Sequence, residues 1–292
     1  MNSAGNTTVA RLVCDEATAK RLADSLSEHL DLAETAVAAF EGIDGRWNVE
    51  IHFEQAPDEA AIRRLIGDAG GPADVMFETI AARDWVAASL AGLKPVAAGR
   101  FTVHGAHDRV HVTANRIGIE IEAALAFGTG HHGTTRGCLL ALDGIVKRAF
   151  PRRVLDIGTG TGVLAIAAAR LSSDAQVFAV DNDPVATAVA RANARLNRTG
   201  RRLTILTATG FAHPRLRRAQ PFDLVLANIL PRPLVRLAAP MHRAIAPGGF
   251  AVLSGLLNHQ AREVAMAYRA AGFRLAGWDR RAGWSILTLR RA

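Results

Sequence analysis

The first eighty residues combine two apolar patterns. Segments such as Thr7–Cys14 are rich in strand-forming residues, whereas Leu22, Leu26 and Leu30 recur every fourth position and predict one face of a helix. In order, the segments predict strand, helix, strand, strand, helix and strand. This order is typical of a small ferredoxin-like α+β sandwich, in which two helices cover one face of an antiparallel sheet.

Two aspartates mark where these helices begin. Asp15 directly precedes the first helical segment, and Asp58 precedes a second one that carries Ile62, Leu65 and Ile66 on one face. An aspartate at this position accepts hydrogen bonds from the free N–H groups of the first turn. Both helices therefore have a predicted N-cap.

From about residue 134 the pattern changes. Strongly apolar strands such as 153–158 and 222–230 alternate with helices, which predicts a parallel, doubly wound α/β sheet. The last segment, 273–291, reads as an antiparallel hairpin, which fits the methyltransferase variant of the Rossmann-like fold better than a plain dinucleotide-binding one. We expect an α+β domain over 1–85, a linker region over 86–122 and the α/β domain over 123–292. Segments 100–106, 108–114 and 117–127 are predicted as strands with turns between them.

Charge and composition narrow the setting. The 292 residues carry a formal charge of +8, with arginine clusters at Arg191–Arg202 and Arg215–Arg218. These clusters are either solvated helix faces or a surface for an acidic partner such as a nucleic acid. No apolar run approaches the length of a membrane span, and no signal peptide is evident. We therefore expect a cytoplasmic protein, with Cys14 and Cys138 as free thiols.

A glycine-rich turn follows the first strand of the α/β domain. Gly158, Gly160 and Gly162 alternate with threonines, and the position where a dinucleotide fingerprint places its third glycine is Val163. Asp156 precedes the turn. A carboxylate there disfavours a pyrophosphate and favours the ammonium of a methionine moiety. The pattern therefore resembles the first motif of S-adenosylmethionine-dependent methyltransferases.

Two further polar residues end neighbouring strands. Asp181 lies about twenty residues past the glycine turn, where a carboxylate can accept both ribose hydroxyls of an adenosyl group. Asp183, before Pro184, suits the N-cap of the next helix better. Asn228 ends a later strand and can offer its side-chain carbonyl to an incoming amine, so we assign it as the catalytic residue.

The segment Leu125–Asp143 is the most individual part of the chain. It contains a second glycine turn, paired histidines at 131 and 132, and paired threonines at 134 and 135. Adjacent histidines rarely converge on one ion, and no third ligand has matching spacing, so we predict no metal site. Thr134 or Thr135 is expected to begin the next helix or to bind the ligand.

In this segment and beyond it, the chain resembles the PrmA family. The resemblance is carried by Ala-Phe-Gly-Thr-Gly-x-His-x-Thr-Thr, then Asp-Ile-Gly-Thr-Gly-Thr-Gly, Asp-x-Asp-Pro and Ala-Asn-Ile-Leu, and it covers nearly the whole sequence. It implies a protein methyltransferase that uses S-adenosylmethionine to methylate lysine side chains and the α-amino group of the large-subunit ribosomal protein numbered eleven. It also implies that the N-terminal domain recognises that substrate, free or near ribosomal RNA.

The resemblance and the motifs together give the expected site residues. Asn228 is expected at the reacting centre, and the cofactor-binding residues are Phe127, Gly128, Thr129, Thr135, Asp156, Gly158, Gly160, Gly162, Asp181 and Asn228. Three alternatives remain open: an RNA or DNA amine methyltransferase, a nonenzymatic ribosome-assembly factor, and a nicotinamide oxidoreductase. The first lacks an aromatic residue after Asn228 for stacking a flipped base. The last lacks a visible hydride-handling set of residues.

Overall fold

The computed structural model describes residues 7–30, 35–41, 46–53, 56–80, 95–121, 132–148, 150–171, 174–281 and 283–292. The chain forms two compact units. One comprises residues 1–92 and 127–130, and the other comprises residues 93–126 and 131–292. Among the described helices, none is long and apolar enough to cross a membrane.

The smaller unit is a four-stranded antiparallel sheet with two helices. Its elements are β1 (Thr7–Cys14), α1 (Glu16–His29), β2 (Thr35–Glu41), β3 (Trp47–Phe53), α2 (Glu59–Asp68) and β4 (Met76–Ile80). The strand order β2-β3-β1-β4 confirms the predicted α+β sandwich. Asp15 accepts from the Thr18 N–H at 2.9 Å, and Asp58 accepts from the N–H groups of Ala60 and Ala61, so both predicted N-caps are confirmed.

The core of this unit is apolar. Alternate residues of the central strands, including Leu12 and Ile51, meet Leu22 and Leu26 of α1 and Ile66 of α2, and all five are buried. On the sheet, Arg11 pairs with Glu50 at 2.9 Å and with Glu78 at 2.6 Å across both neighbouring strands. The three charged side chains therefore form two ion pairs within the sheet.

The larger unit begins with a small three-stranded sheet. It consists of β5 (Val96–Ala98), β6 (Phe101–His104) and β7 (Ile117–Glu120), with β6 and β7 parallel. The segment 108–114 was predicted as a strand, but Ala106–His111 forms a 3₁₀ helix instead. Its Val110 is 85% exposed, so the apolar alternation there has no core to face. Since the residues between β6 and β7 must cross over to make a parallel pair, they do not form a strand of that sheet.

This small sheet belongs to the larger unit, although we expected a linker over 86–122. Asp143 binds Arg100, and Arg136 donates to the carbonyl of Ala97 at 3.0 Å. Asn197 exchanges two hydrogen bonds with the backbone of Glu120. Residues 95–121 therefore pack as a part of the fold. Residues 86–94 of that expected linker lie outside the described residues.

The main sheet has seven strands with helices on both faces. Its strands are β8 (Arg153–Ile157), β9 (Gln176–Asp181), β10 (Leu203–Thr207), β11 (Phe222–Asn228), β12 (Ile245–Leu257), β13 (Phe273–Arg281) and β14 (Trp284–Arg291). The helices are α3 (His132–Val146), α4 (Val163–Leu171), α5 (Pro184–Leu196), α6 (Pro214–Ala219), α7 (Pro231–Ala244) and α8 (Ala261–Ala270). The short α6 was not predicted, because Pro214–Ala219 shows three arginines rather than an apolar pattern.

The strand order is β10-β9-β8-β11-β12-β14-β13, with β14 antiparallel to both of its neighbours. This confirms the predicted doubly wound sheet and its terminal hairpin. The chain order reverses between β8 and β11, and ligands of open α/β sheets bind at such a switch point, outside the carboxyl ends of the strands. A ligand is therefore expected at the loops after β8, β9 and β11.

Candidate functional site

Three of the expected site residues lie in one row across the sheet. Ile157 of β8 is paired with Val180 of β9 and with Ala227 of β11. The next residues along these strands are Gly158, Asp181 and Asn228, so they are level at the carboxyl edge. Neighbouring strands lie about 4.8 Å apart, which places the outer two residues roughly 10 Å from each other.

Hydrogen bonds donated by its own backbone N–H groups fix the glycine turn. The N–H groups of Gly158 and Thr159 donate to the carbonyl of Val180, at 2.8 and 3.1 Å, and that of Gly162 donates to Thr159. Gly160 donates to the carboxylate of Asp181 at 2.9 Å. A phosphate-binding loop needs such N–H groups free for its anion. Here four of them are engaged within the protein, which disfavours a pyrophosphate ligand.

All three glycines of the turn have positive φ angles, of 69°, 52° and 84° for Gly158, Gly160 and Gly162. A side chain at Gly158 would lie 2.1 Å from Ile229, which closes one side of the turn. At Gly160, by contrast, an added Cβ meets no atom of the described residues within 4 Å. The backbone of Gly160 therefore borders open space, as required where a ligand approaches a bare main chain.

Asp181 faces this turn from the end of β9. One carboxylate oxygen accepts from Gly160, and the other accepts from the N–H of Asp183 at 3.1 Å. The side chain remains partly exposed, so each oxygen keeps a lone pair for further donors. Asp183 itself caps α5 through the N–H of Val185 at 2.7 Å, which confirms its predicted role.

Asp156 lies beneath the turn. Its side chain accepts from the Thr159 hydroxyl at 2.6 Å and from the Ala165 N–H at 3.2 Å, and the residue is 1% exposed. Burial raises the pKa of Asp156 to about 7. We expected this carboxylate to attract a ligand's ammonium. Both bonds are accepted by Oδ2 and fix the turn against the start of α4, whereas the buried Oδ1 has no hydrogen-bond partner among the described residues, so the expected ligand contact stays a prediction.

Asn228 presents an unused acceptor. Its side-chain N–H donates to the Thr134 hydroxyl at 3.3 Å, and Thr134 is fully buried near the start of α3. The Oδ1 atom of Asn228 is buried and has no hydrogen-bond partner among the described residues. A buried acceptor left without a partner costs about 1–3 kcal/mol, so this atom is suited to a donor brought by a ligand.

Two contributors to the site were not assigned from the sequence. Thr134, which the sequence offered beside Thr135, contacts Asn228; Thr135 is buried beside it in α3, and its expected contact with the cofactor stays a prediction. Gly255, with φ of 82°, allows β12 to approach the backbone of Ile229, where an added Cβ would lie 2.4 Å from the carbonyl oxygen. The only signal for this residue was a glycine within an apolar strand, which marks a close backbone approach.

Several predicted site residues are not among the described residues. Phe127, Gly128 and Thr129 lie outside them, so their expected places at the site stay predictions. His131, for which we predicted no metal role, also lies outside them. His132 is the first residue of α3, which therefore begins two residues before the predicted start at Thr134. Among the described residues, no three His, Cys, Asp or Glu side chains are grouped as metal ligands would be.

Cys138 is packed deep behind this edge. The thiol is fully buried in α3, and burial, with the nearby charge of Asp156, raises its pKa to about 12. Cys14 lies on β1 of the smaller unit and is partly exposed. Both cysteines are free, as the sequence predicted.

Comparison with known proteins gives a consistent result. The sequence profile of the family described as "Ribosomal protein L11 methyltransferase (PrmA)" matches residues 4–292. A protein of Bradyrhizobium diazoefficiens named ribosomal protein L11 methyltransferase is 56% identical over 279 residues, covering 94% of each chain. One of the same name from Rhodopseudomonas palustris is 51% identical over 292 residues, covering 99% of each.

A solved structure supports the fold. The ribosomal protein L11 methylase of Lactobacillus delbrueckii subsp. bulgaricus superposes with a TM-score of 0.60 at 24% identity, covering 68% of this chain and 99% of its own. At this identity the likeness shows a shared fold. The sequence relatives carry the assignment to a family.

Proposed function

This chain belongs to the family of ribosomal protein L11 methyltransferases, and on that premise we propose that it transfers methyl groups from S-adenosylmethionine to amino groups of ribosomal protein L11. The acceptors implied by the family resemblance are lysine side chains and the α-amino group. We further propose that residues 1–85 recognise the substrate protein. The relatives' names also support a cytoplasmic location, where ribosomal proteins are made.

The residues at the carboxyl edge suit an adenosyl ligand. The Asp181 carboxylate has lone pairs left for the two ribose hydroxyls, and the open space beside Gly160 leaves room for the ligand against bare backbone. Asp156 acts indirectly, by holding the turn from below. When bound, S-adenosylmethionine supplies a methyl group on a positively charged sulfur.

Asn228 carries the proposed chemistry. An attacking amine must be neutral, although free lysine has a pKa near about 10.4. Burial at the site disfavours the charged amine, and the Oδ1 atom of Asn228 can accept an N–H bond that aligns the lone pair with the methyl group. Thr134 fixes the orientation of the amide. Water takes the released proton, so no strong general base is required.

The single observation that carries this proposal is the buried Oδ1 of Asn228, which has no partner among the described residues and lies level with Gly158 and Asp181. The test incubates the purified protein with labelled S-adenosylmethionine and either purified ribosomal protein L11 or naked RNA. We expect label in the protein, at amino groups located by mass spectrometry. Label in RNA alone would overturn the proposal in favour of a nucleic-acid methyltransferase.

Asp181→Ala tests the cofactor assignment separately. We expect binding of S-adenosylmethionine, measured by calorimetry, to weaken by about 10- to 100-fold, because two charge-assisted hydrogen bonds are lost. Asp223→Ala is the matched control, since Asp223 binds the backbone N–H groups of Arg152 and Arg153 at the other end of the sheet. Equal weakening in both variants would contradict a ligand role for Asp181.

A further inference from the structure

A pocket lies between α8 and the terminal hairpin of β13 and β14. Its volume is about 350 Å³, and its apolar lining includes Met266, Leu275 and Trp278. Ligand pockets of proteins measure about 300–1,000 Å³. Met266 is 60% exposed and Leu275 is 51% exposed, so two large apolar side chains of the lining meet solvent. Exposed apolar surface around a cavity is typical of a binding site. We call this cavity the hairpin pocket.

A β-bulge builds the hairpin side of this pocket. Leu275 pairs with Leu289 and Trp278 pairs with Leu287, and the register shifts between Leu275 and Gly277. Leu287 and Leu289 are two residues apart on β14, so their side chains lie on the same face of the sheet. The extra residue of the bulge therefore places Leu275 and Trp278 on that face as well, although they are three positions apart.

Three exposed arginines also line the hairpin pocket. Arg262 and Arg269 belong to α8, and Arg274 lies near the start of β13. None of the three has a hydrogen bond or an ion pair with a described residue. Of the acidic residues on α8 and β13, Glu263 does not line the pocket, and Asp279 is already in an ion pair on the hairpin. The pocket therefore offers guanidinium groups to an anionic ligand.

The strand beside the pocket is the last one of the main sheet. Among the described strands, β13 pairs with β14 alone, so the outward N–H and C=O groups along Phe273–Arg281 have no partner strand there. An open edge of this kind accepts an extended peptide as an additional strand. A nucleic-acid backbone supplies acceptors, but it lacks the N–H donors that a strand ladder needs. The edge therefore favours a peptide over a nucleic acid.

The charge of this edge disfavours a second copy of the chain. β13 carries Arg274, Arg280 and Arg281 against one acidic residue, Asp279. Two such strands side by side would bring arginines together, and like charges across a strand pair are destabilising. An acidic strand would instead meet opposite charges along the same edge.

We propose that the hairpin pocket and the edge of β13 together bind an extended acidic segment of another protein. Arg262, Met266 and Arg269 are four and three positions apart, so they lie on one side of α8. The two arginines are about 10 Å apart along the helix axis. In a strand, the residues two before and two after an apolar residue share its face and are about 13 Å apart. The expected segment is therefore acid–x–apolar–x–acid, with the apolar side chain against Met266.

This binding site is separate from the proposed methyl-transfer site. β13 is three strands away from β11 in the main sheet, which is about 14 Å. A segment bound at β13 would attach the protein to a partner while the carboxyl edge near Asn228 stays available. The proposal therefore goes beyond the proposed function and does not depend on it.

The first test uses a short labelled peptide with Glu-Thr-Ile-Thr-Glu at its centre and threonine elsewhere. We expect saturable binding to the full chain, with a Kd below about 1 mM, measured by fluorescence anisotropy. Two matched peptides should each bind at least about tenfold more weakly. Lys-Thr-Ile-Thr-Lys reverses the charges, and Glu-Thr-Gly-Thr-Glu removes the apolar anchor.

N-methylated forms of the first peptide test the strand ladder. Successive N–H groups of an extended peptide point to opposite edges, and only one of these edges faces β13. Methylation of the amides on that edge should abolish binding. Methylation of the amides on the other edge should change the Kd by less than about twofold.

Protein variants locate the site. Replacing both Arg262 and Arg269 with alanine should weaken binding of the first peptide by about 5- to 30-fold, because two exposed charge pairs are lost. The matched control replaces Arg195 and Arg201, which are exposed near β10 at the other edge of the main sheet. It should change the Kd by less than about twofold. Thermal unfolding with an unchanged Tm verifies that each variant is folded.

Five results would overturn the proposal. No saturable binding of the first peptide would remove the site, and equal weakening in both arginine variants would mean that only overall charge matters. Equal effects of methylation on the two edges would exclude strand addition. Displacement of the peptide by single-stranded RNA, with RNA binding lost in the pocket variant, would make a nucleic acid the partner. A dimer that the peptide dissociates, seen by sedimentation velocity, would make a second copy the occupant.

Discussion

The two units of the chain differ in where they bury polar groups. Among its described residues, the smaller unit buries one polar side chain, Thr8, and its remaining core is apolar. The described part of the larger unit buries fifteen, including Thr134, Asp156 and Thr159 at the carboxyl edge of its sheet. Since buried polar groups are costly unless they are bonded, their concentration marks the part of the molecule that does more than fold.

The smaller unit thus resembles a domain that binds a partner through its surface, and the larger unit resembles a domain that contains a reaction site. The following expected results test this division, from the largest effect to the smallest.

Removing the smaller unit tests the division most directly. A chain that begins at residue 93 retains all described elements of the larger unit. We expect methylation of ribosomal protein L11 to be lost, because substrate docking is lost, while the affinity for S-adenosylmethionine stays within about twofold by calorimetry. Full methylation by the shortened chain would show that the smaller unit does not recognise the substrate.

Asn228→Ala tests whether the unpartnered acceptor orients the amine. We expect kcat to fall by about 100-fold, as for other oriented groups that act in the transition state, with little change in cofactor affinity. Thr134→Val leaves the amide in place but releases its orientation, and should give a smaller loss in kcat with KM unchanged. A variant of Asn228 with normal turnover would contradict its assigned role.

Gly160→Ala tests whether the open space beside the turn belongs to the ligand. Here the backbone has a φ of 52°, and the added methyl group meets no atom in the part of the chain that the structure describes. Gly283 in the terminal hairpin also has a positive φ, of 84°, and open space, so Gly283→Ala is the matched control. Both variants should lose about 1 kcal/mol of stability from backbone strain. Only Gly160→Ala should bind S-adenosylmethionine less tightly, by about tenfold.

Asp156→Asn tests the buried carboxyl group. Its pKa is raised from 3.8 to about 7, mainly by burial, so the folded protein holds this proton more tightly than the unfolded chain does. This group's contribution to the free energy of unfolding is therefore present at low pH and is lost as the pH rises through about 7. The asparagine variant should lack this loss, as measured by urea unfolding across the same pH range.

Asp143→Asn is the contrasting control for that experiment. Burial raises the pKa of Asp143, but the hydrogen bonds from Lys147 and Arg100 outweigh burial and lower it. Its stabilising contribution is present above the ordinary carboxyl pKa and is lost as the pH falls. The two variants should therefore change the pH dependence of stability in opposite directions. Changes of the same sign would contradict the environment described for Asp156.

The sequence predicted most of the elements and the shared edge at which three candidate site residues lie, although it missed α6 and predicted a strand where a 3₁₀ helix forms. The helix caps at Asp15, Asp58 and Asp183 use short-range hydrogen bonds, and a short-range pattern predicts them well. The alternation of strands and helices likewise predicted the main sheet. Gly158, Asp181 and Asn228 were recognised because each follows a strand, and parallel strands bring such positions to one edge.

What the sequence could not supply were contacts between distant segments. Thr134 and Asn228 are separated by 94 positions, so their hydrogen bond depends on how α3 packs against β11. The inward position of Asp156 also depends on tertiary packing, because the same residue type at the same place in the chain could face a ligand or the core. The strand prediction around Val110 was wrong for a related reason, because an apolar pattern does not reveal whether a core exists for it to face.

The two cysteines differ in exposure, so their rates of alkylation can be compared within one molecule. Cys14 belongs to the smaller unit and is partly exposed, whereas Cys138 is buried behind the carboxyl edge of the main sheet, and burial raises the pKa of its thiol to about 12. An alkylating reagent added to the native protein should therefore label Cys14 first. Labelling of Cys138 requires the larger unit to open, so mass spectra recorded over time would report the rate of that opening without any engineered probe.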